Sequence, residues 1–153
     1  MSEESRAKAL AVAAAALNYK NRSSCQLHDK LLEKGIEPED AEYAIERLRG
    51  FGYLNDSEYA ASVVRSGVNK GWGKVRIRRK LIEYKLDEEI IEQALMDYET
   101  DEERLDRFIM QNIKNLTDRK EKKKVTDKLF RRGYTWEEIG AAMRRCSMDY
   151  EED

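Results

Sequence analysis

Six basic residues and no acid lie between Lys70 and Lys80: Lys70, Lys74, Arg76, Arg78, Arg79 and Lys80. Eight more lie between Arg119 and Arg132, against Glu121 and Asp127. Clusters of this kind attract phosphates or acidic protein surfaces, because local charge decides what a surface binds, and the net charge of −2 does not. Trp72, between Gly71 and Gly73, is a residue that could stack on a base or wedge into a partner, although a tryptophan closing a loop also serves packing. Residues for catalysis are scarcer. His28 is the one histidine and has no ligand-spaced partner, so no metal site is expected. The glycines form no phosphate-cradling loop, and no serine, cysteine or carboxylate belongs to a nucleophilic triad motif. The expectation is a binding protein with no catalytic residues, no metal and no cofactor.

The elements that carry these residues recur. Starting at Leu27, Ile77 and Val125, an apolar residue is followed four positions later by Leu31, Leu81 or Leu129, each preceded by Lys30, Lys80 or Lys128. The anchors are 50 and then 48 residues apart. Each copy adds a second large apolar residue (Leu32, Ile82, Phe130), a break, another apolar residue (Ile36, Leu86, Tyr134) and an acidic helix start. A fixed period of that length means repeated supersecondary units that bury their apolar faces by stacking on neighbours.

Capping chemistry sets the helix boundaries. Ser23 with Gln26, Asn55 with Glu58, Thr100 with Glu103, and Thr135 with Glu138 read as capping boxes or their asparagine analogue. Gly35 and Gly133 stand where a helix stops in a left-handed residue, and Lys85 occupies that place in the second copy. The result is an all-α chain of nine helices, at about 5–20, 24–34, 38–50, 56–68, 74–84, 88–97, 101–114, 119–132 and 136–146. These form three tandem three-helix repeats in an elongated curved stack, over residues 1–53, 54–98 and 99–153. The acidic tail from Met148 to Asp153 is expected to fray. A charged fraction of 39%, against about 25% usually, and a single proline suit helices with solvated faces. Cys25 and Cys146 are too few for a disulfide framework, and no apolar run approaches the ~20 residues of a membrane span, so a cytoplasmic location is expected.

On a helical wheel, Ile77, Leu81 and Ile82 fall on one arc, as do Val125, Leu129 and Phe130. Away from that arc lie Arg76, Arg79 and Lys80 in the second copy, and Lys120, Lys124, Lys128 and Arg131 in the third. The first copy carries the near-neutral set Gln26, Asp29, Lys30 and Glu33 there. The two basic stripes, with Trp72, form the candidate binding surface, suited to single-stranded DNA phosphates or to an acidic protein groove.

Three motifs resemble a known family. The run Gly52, Tyr53, Leu54, Asn55, Asp56, Ser57, Glu58, Tyr59, Ala60 is similar to the junction signature of the RecX regulatory proteins. Gly73 with Arg76, Ile77 and Leu81 resembles that family's second-repeat motif. Lys124, Val125, Leu129, Arg131, Arg132, Gly133, Tyr134, Glu138 and Ile139 resemble its third. The likeness runs from about Arg6 to Arg145. The departures are Asn55 for the commoner aspartate and Lys85–Leu86 where glycine and isoleucine are frequent. The stacking of neighbouring repeats predicts a monomer, and the resemblance implies a stack of three-helix repeats that binds the RecA recombinase. It implies seating on the RecA filament on single-stranded DNA and restraint of strand exchange, ATP hydrolysis and coprotease activity in DNA repair and the SOS response; the basic stripes themselves predict weak binding to free single-stranded DNA without sequence preference. The family has no short catalytic motif to carry over. Against this stands a helical DNA-binding module acting directly on DNA, since a three-helix unit with a basic helix can imitate a helix-turn-helix reader. The acidic third helices, such as Glu39–Arg49 and Glu88–Leu95, would be repelled by a DNA groove. A scaffold without nucleic-acid contact is the third possibility.

Overall fold

The computed structural model describes residues 2–152, with side chains for 2–147. Among them the chain forms nine helices and no strand: α1 (Glu3–Tyr19), α2 (Ser24–Glu33), α3 (Pro38–Gly50), α4 (Asp56–Asn69), α5 (Lys74–Glu83), α6 (Glu88–Leu95), α7 (Glu102–Asn112), α8 (Arg119–Arg131) and α9 (Trp136–Glu152). The backbone of α9 continues through the acidic tail to Glu152. The fraying expected of Met148–Asp153 concerns side chains and a last residue outside the described set.

Local signals explain most boundaries. Ser23 Oγ accepts the Gln26 amide at 3.1 Å while Gln26 Oε1 accepts the Ser23 amide at 2.9 Å, a complete capping box. Thr135 and Glu138 exchange the same pair of bonds at 3.1 and 3.0 Å. Asn55 Oδ1 accepts the Glu58 amide at 3.1 Å. The box expected at Thr100 and Glu103 is not formed. Asp101 caps α7 by accepting the Arg104 amide at 3.0 Å, and the Thr100 hydroxyl is drawn to the Glu138 carboxylate instead.

The second helix of every repeat ends in the same turn. The amides of Ile36, Leu86 and Tyr134 donate back to the carbonyls of Leu31, Leu81 and Leu129, and the residue before each donates to Leu32, Ile82 or Phe130. This is the Schellman pattern, with a buried apolar contact between the residue after the turn and the one inside the helix. It requires a left-handed residue, supplied by Gly35 (φ 85°), Gly133 (φ 100°) and, without a glycine, Lys85 (φ 60°).

The chain divides into two compact units, one of Met1–Val63 with Lys80–Ala94 and the other of Val64–Arg79 with Leu95–Asp153. In the first, α1, α2 and α3 pack together around Ala9, Ala13, Leu27, Leu31, Ala41, Ala44 and Leu48. Buried alanines Ala9, Ala13 and Ala16, spaced four and three residues apart on one face, let α1 approach α3 closely. Fully buried Ser23 donates to the Tyr84 carbonyl at 2.6 Å, and the Ser24 amide donates to Asp56 at 2.8 Å, so the start of α2 is tied to α4 and to the end of α5. In the second unit, α7, α8 and α9 enclose Leu105, Ile109, Val125, Leu129, Ile139, Ala142 and Cys146.

Ile82 and Phe130, expected on the buried arc, are instead 59% and 49% exposed. Each lies five residues beyond its anchor, about 140° round the helix from Ile77 or Val125, and so clear of the core. The buried positions are Ile77, Leu81, Val125 and Leu129. At the junction before α4, Tyr53 is 74% exposed beside Phe51, and Leu54 alone is buried.

Candidate nucleic-acid and partner interface

Five of the eight candidate residues are exposed cations. Lys120, Lys124, Lys128 and Arg131 rise along α8, and Arg79 stands on α5; none has an ion-pair partner among the described residues. The four on α8 fall within about 80° of helix surface, so they form one continuous stripe. Asp118 fixes the start of that helix by accepting the Lys120 amide at 2.9 Å, and Lys128 and Arg131 complement the carbonyl end of its dipole. Leaving this many like charges uncompensated raises the local positive potential and offers counterions to be released by a polyanion.

The remaining three are engaged within the fold. Lys80 belongs to the first unit, bonds Glu83 at 3.3 Å and lies 5.5 Å from the Tyr84 ring centre. In the second unit the Arg76 guanidinium lies 4.2 Å from the centre of the Trp72 ring, with Lys70 Nζ at 4.9 Å. Trp72 is half-buried, and its π-surface holds these two cations.

The loop that presents Trp72 is fastened from several sides. The Tyr98 hydroxyl donates to the Trp72 carbonyl at 3.2 Å and the Tyr134 hydroxyl to the Gly71 carbonyl at 3.0 Å. Arg104 donates to the carbonyls of Val68 and Asn69 at 2.8 and 3.0 Å, satisfying the open end of α4. The Gly73 amide donates to the Arg132 carbonyl at 2.7 Å and the Val75 amide to Gly133 at 3.1 Å. Burial pushes the Tyr98 phenol up to about 12 and raises Tyr134 as well, so both remain donors at neutral pH. The sequence marks Gly71–Gly73 as a loop, but these hydroxyl and backbone partners come from residues far along the chain and leave no local signal.

Reading the sequence also passes over Trp136. Its ring stacks on Phe130 with centroids 4.6 Å apart and planes 18° from parallel, and it is 58% exposed. No group of three or more His, Cys, Asp or Glu able to hold a metal occurs among the described residues, and no helix is long and apolar enough to cross a membrane.

Comparison with known proteins gives a consistent result. Family models described as the first, second and third three-helix domains of RecX match residues 9–48, 55–95 and 109–143. Regulatory protein RecX of Xanthomonas axonopodis pv. citri (strain 306) is 36% identical over 128 residues, 82% of this chain and 79% of that protein. The protein of the same name from Vibrio parahaemolyticus is 35% identical over 130 residues, 83% of this chain and 84% of its own. The crystal structure of RecX from Lactobacillus salivarius superposes with a TM-score of 0.85 at 22% identity, covering 95% of this chain and 98% of that one, a likeness of fold. A second crystal structure, of regulatory protein RecX, gives 0.74 at 26% identity over 89% of this chain and 70% of the other.

Proposed function

Because the chain belongs to the RecX family of regulatory proteins, we propose that it binds the RecA recombinase and the RecA filament on single-stranded DNA. Bound there, it inhibits or modulates recombinase, ATPase and coprotease activity in DNA repair and the SOS response. It acts as a monomer in the cytoplasm, without catalytic residues or cofactor of its own, through three repeats spanning residues 1–53, 54–98 and 99–153. The observation that carries the reading is the unpaired stripe of Lys120, Lys124, Lys128 and Arg131, with exposed Arg79, in a chain matched by all three family domains. Cations with no internal partner contribute little to folding and are available to phosphates or to an acidic protein groove. Arg76 covers the Trp72 ring in the same unit as that stripe, while Lys80, in the other unit, is engaged with Glu83. A helical module acting directly on DNA is less well supported, since α3 opens on Glu39 and α6 on Glu88 and Glu89, which a DNA groove would repel.

The test is a pull-down and ATPase assay with RecA, with and without single-stranded DNA. Retention on RecA filaments with a reduced ATPase rate is expected. Equal affinity for naked DNA and for filament would overturn the reading in favour of the DNA-binding module.

A further inference from the structure

The Phe130–Trp136 pair has the features of a ligand surface. Two large aromatic rings, 49% and 58% exposed, stack on each other rather than entering the core of their unit. The backbone at both positions is fixed by helix ends. Phe130 lies in the last turn of α8, where its carbonyl accepts the Gly133 amide at 3.0 Å, and Trp136 is the first residue of α9, next to the Thr135–Glu138 capping box. The pair therefore projects from two helix ends joined by one tight turn, with the rings already stacked face to face before a base would arrive.

On the α8 side the surroundings are cationic, while Glu137 and Glu138 follow Trp136 in the first turn of α9. Lys123 and Arg119 lie seven and eleven residues before Phe130, within about 20° of it on the helix surface, and both are exposed. Asp127 is the acid nearest that edge of α8, and the stripe of Lys120, Lys124, Lys128 and Arg131 follows on its other side. Protein-docking patches are depleted of charge at their centre, whereas flat rings interleaved with cations suit nucleobases and their phosphates. We propose that Phe130 and Trp136 form a stacking platform for bases of single-stranded DNA, while the cations of α8 hold the phosphates on either side. The proposal rests on the functional reading above for the presence of single-stranded DNA.

The full chain and its W136A, F130A and W136L variants are titrated with a labelled thymidine oligomer and with an abasic sugar-phosphate oligomer of equal length and charge. The parent should prefer the oligomer with bases by about tenfold, and each variant should lose that preference without change on the abasic strand or in the salt slope. W136L keeps apolar volume but not the flat face, so it separates stacking from packing, and circular dichroism establishes that each variant is folded. Retention of the preference by folded W136L and F130A would overturn the platform, as would a parent that binds both strands equally. It is also overturned if the variants keep the preference but lose RecA binding in the absence of DNA, which would mark a protein-docking patch. A parent that shows the base preference yet leaves the RecA ATPase unaffected would remove the regulatory reading and leave the platform standing.

Discussion

Gly133 lies against the backbone of Arg76: a methyl group on Gly133 would come within 2.4 Å of Arg76 Cβ and 2.5 Å of its amide nitrogen. Gly73 meets the same turn from the other side, where an added carbon would lie 2.3 Å from the Gly133 carbonyl oxygen. The segment entering α5 thus packs backbone to backbone on the turn between α8 and α9, and the Gly73–Arg132 and Val75–Gly133 hydrogen bonds need that approach.

Two glycines with the same turn conformation should therefore respond differently to alanine. G35A meets open space at φ 85°, so its cost should be the left-handed strain alone, about 1 kcal/mol. G133A adds a backbone clash at φ 100° and should cost about 3 kcal/mol or more. Urea unfolding of the two variants checks the difference, and equal effects would contradict the close packing.

Much of this fold is legible in the sequence because its cues are local. Ser23 and Gln26, or Thr135 and Glu138, are three residues apart and find each other in any helix start, and the turns after Leu31, Leu81 and Leu129 follow from the repeat. Thr100 carries the same local cue as Thr135, yet it bonds Glu138 across 38 residues and yields the cap to Asp101. The candidate site divides in the same way. The exposed cations of α8 follow from composition and the helical wheel, whereas the hold of Trp72 on Arg76 and the stack of Phe130 on Trp136 depend on turn geometry that a wheel does not contain.

At the junction between repeats, Tyr53 and Leu54 should separate. L54A removes a side chain that is 3% exposed and should cost about 2–3 kcal/mol, while Y53A at 74% exposure should fall within about 0.5 kcal/mol of the parent. Thermal unfolding of both reads the contrast.

Lys85 holds a left-handed conformation that glycine adopts without strain, and it pairs with Asp29 across an exposed contact. The hydrogen bond from Lys85 holds the Asp29 carboxyl below its usual range. A carboxylate depressed in this way contributes stability above its ordinary pKa and loses it as pH falls through the folded value. K85G should raise the urea midpoint, and its advantage over the parent should widen with salt or on acidification, since both remove the ion pair only the parent has. Titrating both proteins across salt and acid pH checks this.

Tyr98 makes the converse prediction at high pH. Its pKa is raised to about 12 by burial, from 10.0, so between those values the unfolded phenol ionises while the folded one keeps its proton. The unfolded state then binds fewer protons, and stability present below pH 10 is lost as pH rises toward 12. Ionisation also removes the donor to the Trp72 carbonyl. Y98F should be less stable at neutral pH by about 1 kcal/mol, and its curve should fall less steeply over the alkaline interval. Stability measured against pH for the two proteins decides the matter.

The α8 stripe yields a prediction about salt. If Lys120, Lys124, Lys128 and Arg131 each meet a phosphate, four counterion releases contribute to binding. Each should add about 0.7 to the slope of log affinity against log salt on a single strand. Replacing all four by glutamine should flatten that slope by up to about 3 while leaving helicity intact, because all four side chains are exposed and unpaired among the described residues. R79Q alone should shift the slope by less than 1, as a single contact would. R76Q should behave differently again, lowering stability, since the Arg76 guanidinium covers Trp72 and its backbone abuts Gly133. Salt titrations of filament binding by the three variants, with unfolding curves for each, check the assignment. A fourfold variant with an unaltered slope would remove α8 from the interface.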